Sequence, residues 1–182
     1  MHPSRSVGFP PLAGPCPRLL ILGSLPGRAS LRAQQYYAMP RNAFWTVMKA
    51  WTGLDSDAPY ADRCAALTGI GIALWDVCAS AERTGSLDAQ IQRHSVLANP
   101  LGPWLAEHPS IRAIVFNGQT AALLYTRHVR PSLPNALAAL PEHVLPSTSP
   151  AHAALSIAAK GAIWHQAIGT VLGDDSLNHA PR

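Results

Sequence analysis

Apolar residues fall along this chain in short uninterrupted runs that alternate with longer periodic stretches. Arg18 to Leu22 is a short apolar run between Pro17 and Gly23, Gly69 to Val77 is a second, Ile111 to Phe116 a third, and His143 to Leu145 a last, shorter one. Brief apolar runs bounded by glycine or proline are how strands covered on both faces read. Between them lie stretches with helical spacing. Phe44, Val47, Met48 and Trp51 share one face of a helix over Phe44 to Leu54 that stops near Gly53, and further helices are predicted over Tyr60 to Thr68, Gln119 to Thr126 and the alanine-rich Ala153 to Val171. Ser86-Leu87-Asp88 reads as the start of a short helix with Ser86 as its N-cap. Ser95 to Pro109 is punctuated by proline and carries no clear element.

Strands that alternate with helix-length crossovers imply an α/β protein: a three-layer α/β/α arrangement with a central, mostly parallel four-stranded sheet. No internal repeat or linker divides the chain. Residues 1 to 17, rich in Pro and Gly without periodicity, are expected to be a flexible N-terminal arm, followed by a single domain over 18 to 175 and a tail over 176 to 182.

The stretch after the first strand is the least regular and the richest in chemistry. From Gly23 to Asn42 it carries Pro26-Gly27, the Tyr36-Tyr37 pair, Pro40 and several hydroxyl and amide side chains. A loop of that length in a compact domain is usually functional. It also leaves the carboxyl end of a strand, where open α/β sheets bind their ligands.

Four ordered blocks in this chain resemble the uracil-DNA glycosylase superfamily, and within it the hypoxanthine-DNA glycosylase branch. They are Gly23-Ser24-Leu25-Pro26-Gly27, Tyr36-Tyr37, Pro40-Arg41-Asn42-Ala43-Phe44-Trp45 and the turn Leu145-Pro146-Ser147-Thr148-Ser149-Pro150-Ala151-His152. The resemblance runs from about Arg18 to the last helix. It implies an enzyme that extrudes a deaminated base from DNA and hydrolyses its glycosidic bond. Its site would be built by Gly23, Ser24, Leu25, Tyr37, Phe44 and Asp76 around the base, and by Pro26, Gly27, Ser147, Thr148, Ser149 and His152 against the DNA. Tyr37 would stack on the extruded base, with Tyr36 a structural neighbour.

Leu25 departs from the branches that place Asn or Asp at that position to position or activate water. The resemblance moves the catalytic role to Asn42, whose amide oxygen would hold water while the enzyme stabilises developing charge. Asn42 also precedes a helix and is a good N-cap, so a structural role stands beside the catalytic one. Asp76, near a strand end, would accept the N1 proton of hypoxanthine, act as base for water, or simply cap a turn. Ser147, Thr148 and Ser149 lie before the last predicted helix, whose N-terminus suits a phosphate or simply needs a cap. His152, if protonated, would ease departure of an anionic base; a surface histidine is the alternative. Arg28, Arg32 and Arg41 flank the first motif and are candidates for phosphate contact.

Composition narrows the function classes. Hydrophobic residues make up 48% and charged residues 13%, as in a globular domain. The formal charge of +4 is compatible with a polyanionic partner but is dispersed along the chain. The partner expected is damaged DNA and not a membrane, because no segment is long and apolar enough to span one. No targeting signal precedes Pro17, so a cytoplasmic monomer is expected. Cys16, Cys64 and Cys78 cannot supply the four thiolates of an iron–sulfur cluster, and the histidines lack ligand spacing, so no cofactor or metal is expected. Lys49 and Lys160 are the only lysines and both fall in predicted helices, which argues for hydrolysis rather than Schiff-base chemistry. The sequence leaves open uracil, xanthine or a mismatched base as substrate, and a DNA-binding relative that lost catalysis with Leu25. A nucleotide-hydrolysing enzyme is disfavoured by the absence of phosphate-loop glycine motifs.

Overall fold

The computed structural model describes residues 4–173. In chain order the elements are β1 (Ser4–Val7), β2 (Leu19–Gly23), α1 (Arg28–Ala33), α2 (Phe44–Thr52), α3 (Tyr60–Gly69), β3 (Ile72–Asp76), β4 (Cys78–Arg83), β5 (Leu97–Ala98), α4 (Leu101–Glu107), β6 (Ala113–Asn117), α5 (Gln119–His128), α6 (Asn135–Ala138), β7 (Glu142–Leu145) and α7 (Ile157–Leu172). Four strands form one sheet in the order β3-β2-β6-β7, every neighbour pair parallel. This is the expected four-stranded sheet.

Alternation along the strands builds the layers. Leu19 and Ile21 of β2 face a core with Phe44, Met48, Leu67, Trp164 and Ile168, whereas Leu20 and Leu22 face another with Leu101, Leu105, Leu124 and Tyr125. Helices α2, α3 and α7 therefore cover one face and α4 and α5 the other. Strands β2, β3 and β6 are buried along their whole length, which is why they read as unbroken apolar runs; β7 is an edge strand, and Val144 within it is 43% exposed.

Three expectations are corrected. The N-terminal stretch is not a loose arm. Leu12 exchanges backbone hydrogen bonds with Leu74 of β3 at 2.8 and 2.9 Å, and the Trp75 indole donates to the Phe9 carbonyl at 3.0 Å, so the arm closes the open edge of β3. Further upstream, β1 pairs antiparallel with β4 in a second sheet, β1-β4-β5. Second, Ser86 starts no helix of its own: a single 3₁₀ turn runs Asp88–Gln90, and the Ser86 hydroxyl instead accepts from the Arg28 N–H at the start of α1 at 3.3 Å. Third, the last helix begins at Ile157, capped by the Ser156 hydroxyl accepting from Ala159 N–H at 3.1 Å, and not at Ala153. The unassigned Ser95 to Pro109 region holds α4, whose Pro103 sits in the first turn, where the missing N–H has no partner to lose. The expected tail over 176 to 182 lies outside the described residues.

Candidate active site

The last residues of the four parallel strands, Gly23, Asp76, Asn117 and Leu145, all line one cavity of about 680 Å³. That volume is in the range of small-molecule sites, and its position at the carboxyl ends of the strands is where open α/β sheets place ligands. Its walls bring together most of the residues singled out in the sequence: Ser24, Leu25, Pro26, Gly27, Tyr37, Asn42, Asp76, Ser147, Thr148, Ser149 and His152.

The Gly23–Gly27 turn is held from beneath by Arg83. This arginine is 1% exposed and its Nη1 and Nη2 donate to the carbonyls of Leu25 and Pro26. Burial lowers the guanidinium's proton affinity, and the nearby carboxylates of Asp88 and Asp76 offset this. Asp88 also lines the cavity; burial pushes its carboxyl up, and the neighbouring Ser24 and Arg83 oppose the rise. Leu25 is buried at 4% exposure and packs in the core layer behind the turn.

Tyr37 adopts a left-handed backbone (φ 55°), which turns its side chain against the ring of Phe44. The two rings stack with centroids 3.9 Å apart and planes 18° apart. Phe44 is fully buried and does not line the cavity, so the expectation that it touches the base is corrected: it is the support behind Tyr37. Tyr36 is buried in the adjoining core, its hydroxyl donating to the Pro10 carbonyl at 3.0 Å. Asn42 stands both at the start of α2 and on the cavity wall, and its Oδ1 accepts from the Phe44 N–H at 3.0 Å. An amide oxygen has a second lone pair, so the cap leaves capacity for a water.

Asp76 is 4% exposed, and its Oδ2 has no hydrogen-bond partner among the described residues. Burial pushes its proton affinity up, the neighbouring Asp88 adds to the rise and Arg83 opposes it, leaving a pKa of about 7. A carboxyl poised near neutrality in a cavity marks a functional candidate.

The Pro-Ser turn is clamped to the sheet by Asn117. The Asn117 Nδ2 donates to Thr148 Oγ1 at 2.8 Å, and its Oδ1 accepts from the Thr148 N–H at 2.8 Å. Burial pushes the Tyr37 phenol well above its ordinary value, and the neighbouring Asn117 side chain opposes the rise. Thr148 is 1% exposed, so it is a buried anchor rather than a group offered to DNA, and its carbonyl accepts from Ala43 N–H at 2.9 Å, tying the two motifs directly. Ser147 and Ser149 spend their hydroxyls on closing the turn, accepting from the N–H groups of Ser149 and Ala151 at 3.2 and 3.3 Å. Because α7 starts at Ile157, the turn does not run directly into its N-terminus. His152 lines the cavity and is exposed.

Three residues that build the cavity's surroundings were not legible in the sequence. Asp88 read as part of a helix start, Arg83 carried no pattern, and Lys160 read only as a position in a predicted helix. Lys160 is 4% exposed, and its Nζ donates to the carbonyls of His152 at 2.6 Å and Ser149 at 3.4 Å, drawing the turn onto α7. A charged residue at a buried helical position followed by glycine was the available signal. No group of three or more metal-ligating side chains occurs among the described residues. No helix among them is long and apolar enough to cross a membrane.

A parallel four-stranded sheet whose strand ends carry a Gly-x-x-Pro-Gly turn and a Pro-Ser turn around one polar cavity agrees with a wider match. The family model for the uracil DNA glycosylase superfamily matches residues 10–167, and the chain belongs to that superfamily. Among individual relatives, the hypoxanthine DNA glycosylases of Methanosarcina barkeri and Methanosarcina acetivorans are each 36% identical, over 116 and 115 residues, or 63% of this chain and 72% of theirs. The solution NMR structure of a Methanosarcina acetivorans protein described as a uracil DNA glycosylase superposes with a TM-score of 0.71 at 31% identity, over 90% of this chain and 98% of that one.

Proposed function

We propose that this protein is a monofunctional DNA glycosylase that extrudes a deaminated base, hypoxanthine first among them, and hydrolyses its N-glycosidic bond in base-excision repair. The hypoxanthine-directed names of the two archaeal relatives support the substrate. The observation that carries the reading in this chain is the unpartnered, buried Asp76 oxygen in a cavity of about 680 Å³. Hypoxanthine offers an N1 proton that needs an acceptor, and a carboxylate only accepts.

In this reading the extruded base stacks on Tyr37, which Phe44 backs, and Asp76 reads its edge. The C1′–N9 bond breaks with its electron pair staying on the base, and positive charge develops on the sugar. Asn42 Oδ1 holds the water that adds to C1′. The adding water gives up one proton to solvent and the anionic base takes one up as it leaves, with His152 beside it on the exposed cavity wall. Neither lysine is placed to form a Schiff base: Lys49 is ion-paired with Asp55, and Lys160 is buried against two carbonyls. An abasic site is therefore the product. We take the protein to act as a monomer on DNA in the cytoplasm.

The test is base release from matched duplexes carrying one hypoxanthine, uracil or xanthine, read by alkaline cleavage at the abasic site. Release from hypoxanthine in preference to the others is expected. Preference for uracil would favour the description attached to the solved relative, and no release from any of them would point to a DNA-binding protein without catalysis.

A further inference from the structure

A second cavity, of about 460 Å³, lies between strand β1 and helix α1, walled on the α1 side by Arg28, Leu31 and Arg32 and on the other by Arg5 and its neighbours. Arg28 lines both this groove and the candidate active site, so the two share a wall. Arg28 and Arg32 are one helical turn apart and stand on the same face of α1. Both are exposed, and among the described residues neither is in an ion pair. Arg5 faces them from β1, oriented by donation from its Nη1 to the Ser80 hydroxyl at 2.8 Å and lying 3.8 Å from Glu82.

Three guanidinium groups thus surround one groove against a single, partly exposed carboxylate. The imbalance is written into the sequence: Arg5, Arg18, Arg28, Arg32, Arg41 and Lys49 precede Asp55, and no acidic residue does. A solvated basic face ordinarily intersperses both signs. Guanidinium forks match phosphate oxygens, and three arginines along a groove that shares a wall with the candidate active site match a strand of phosphodiesters.

We propose that the β1–α1 groove binds the backbone of the DNA strand flanking the extruded nucleotide, with Arg28 on the phosphate nearest the cavity and Arg32 and Arg5 on those beyond it. The proposal rests on the reading that the protein acts on DNA. It assigns the N-terminal strand, which edges the second sheet, a part in that contact.

Counterion release gives the test. Binding of a fluorescein-labelled duplex, undamaged or carrying one hypoxanthine, is followed by anisotropy across roughly 50 to 200 mM salt. The Arg28→Gln/Arg32→Gln protein is expected to lower the slope of log K against log salt by about 2, since each phosphate contact contributes about 0.9. Damaged and undamaged duplexes should lose affinity by the same factor, the Arg28→Lys/Arg32→Lys protein should recover the slope, and Lys49→Gln should leave it unchanged. Should the double variant misfold, each single Gln variant is expected to lower the slope by about 1. An unchanged slope in folded Gln variants overturns the groove. Undamaged DNA needs no excision to bind, so the two readings fail separately. A protein that releases no base yet loses slope keeps the groove; one that releases hypoxanthine with an unaltered slope loses only the groove.

Discussion

Gly23 and Asp76 are register partners at the carboxyl ends of adjacent parallel strands, and the Asp76 carboxyl fills the space that a Cβ on Gly23 would need. The Tyr37 hydroxyl stands 3.3 Å from the same point. The first glycine of the turn is therefore a packing requirement of the site and not of the turn. Gly23→Ala is expected to displace the Asp76 carboxyl, cost about 1–3 kcal/mol by overpacking and slow base release at least tenfold. Denaturant unfolding and single-turnover base release check both halves; full activity in Gly23→Ala would remove Asp76 from the site.

The pKa of about 7 at Asp76 sets the pH dependence. If the carboxylate accepts the N1 proton or takes one from water, the single-turnover rate rises with pH through about 7 and then levels. Asp76→Asn should lose this limb. Arg83→Met, which removes the cation that lowers the Asp76 pKa, should move the limb to higher pH. A rate independent of pH between about 5 and 9 in the parent enzyme would remove the Asp76 carboxyl from the chemistry.

The same shift predicts a stability change of opposite sense. Asp76 titrates near 3.8 when exposed and near 7 when folded. Between those values the native state holds a proton that the unfolded chain has lost, so this group's contribution to stability is full at acid pH and falls as pH rises through about 7. Asp76→Asn removes the loss. It is expected to match the parent near pH 4 and to exceed it above pH 7 by up to about 4 kcal/mol, from roughly three pKa units at 1.36 kcal/mol each. Urea midpoints at the two pH values measure this, and equal gaps at both would contradict the raised pKa.

Asn42 accepts from the Phe44 N–H at the start of α2 and lines the cavity, and substitution can separate these contacts. Asn42→Ala is expected to lose about 1 kcal/mol of stability from the cap and about 100- to 1000-fold in base release. Asn42→Ser keeps a cap acceptor. It should recover the stability and not the rate; recovery of both would make the residue structural.

Asn117 lines the cavity and holds Thr148, and through it the Pro-Ser turn. Asn117→Ala breaks two hydrogen bonds and leaves Thr148 groups buried without partners, at a cost of about 2–4 kcal/mol. The Pro-Ser turn should then lose its register over the cavity, so the maximal rate falls more than the affinity for DNA. A far-ultraviolet dichroism spectrum like the parent's with an unchanged rate would limit Asn117 to stability.

The fold was legible because strands covered on both faces have nowhere to put polar residues: β2, β3 and β6 announced themselves as unbroken apolar runs, and Phe44, Val47, Met48 and Trp51 marked the buried face of α2. The edge-covering N-terminal stretch was not legible, since backbone pairing such as that of Leu12 with Leu74 leaves no side-chain pattern. At the site, the motifs named Gly23, Tyr37, Asn42 and the Pro-Ser turn because local turn chemistry needs those residue types in sequence. Tertiary structure decided the rest. It put Phe44 behind Tyr37, turned Thr148 inward to Asn117, carried Lys160 under the turn, and gathered Asp76, Asp88 and Arg83 into one buried group of charges. A pKa near 7 arises only from that assembly, because desolvation and the distances between charges far apart in sequence exist only once the chain is folded.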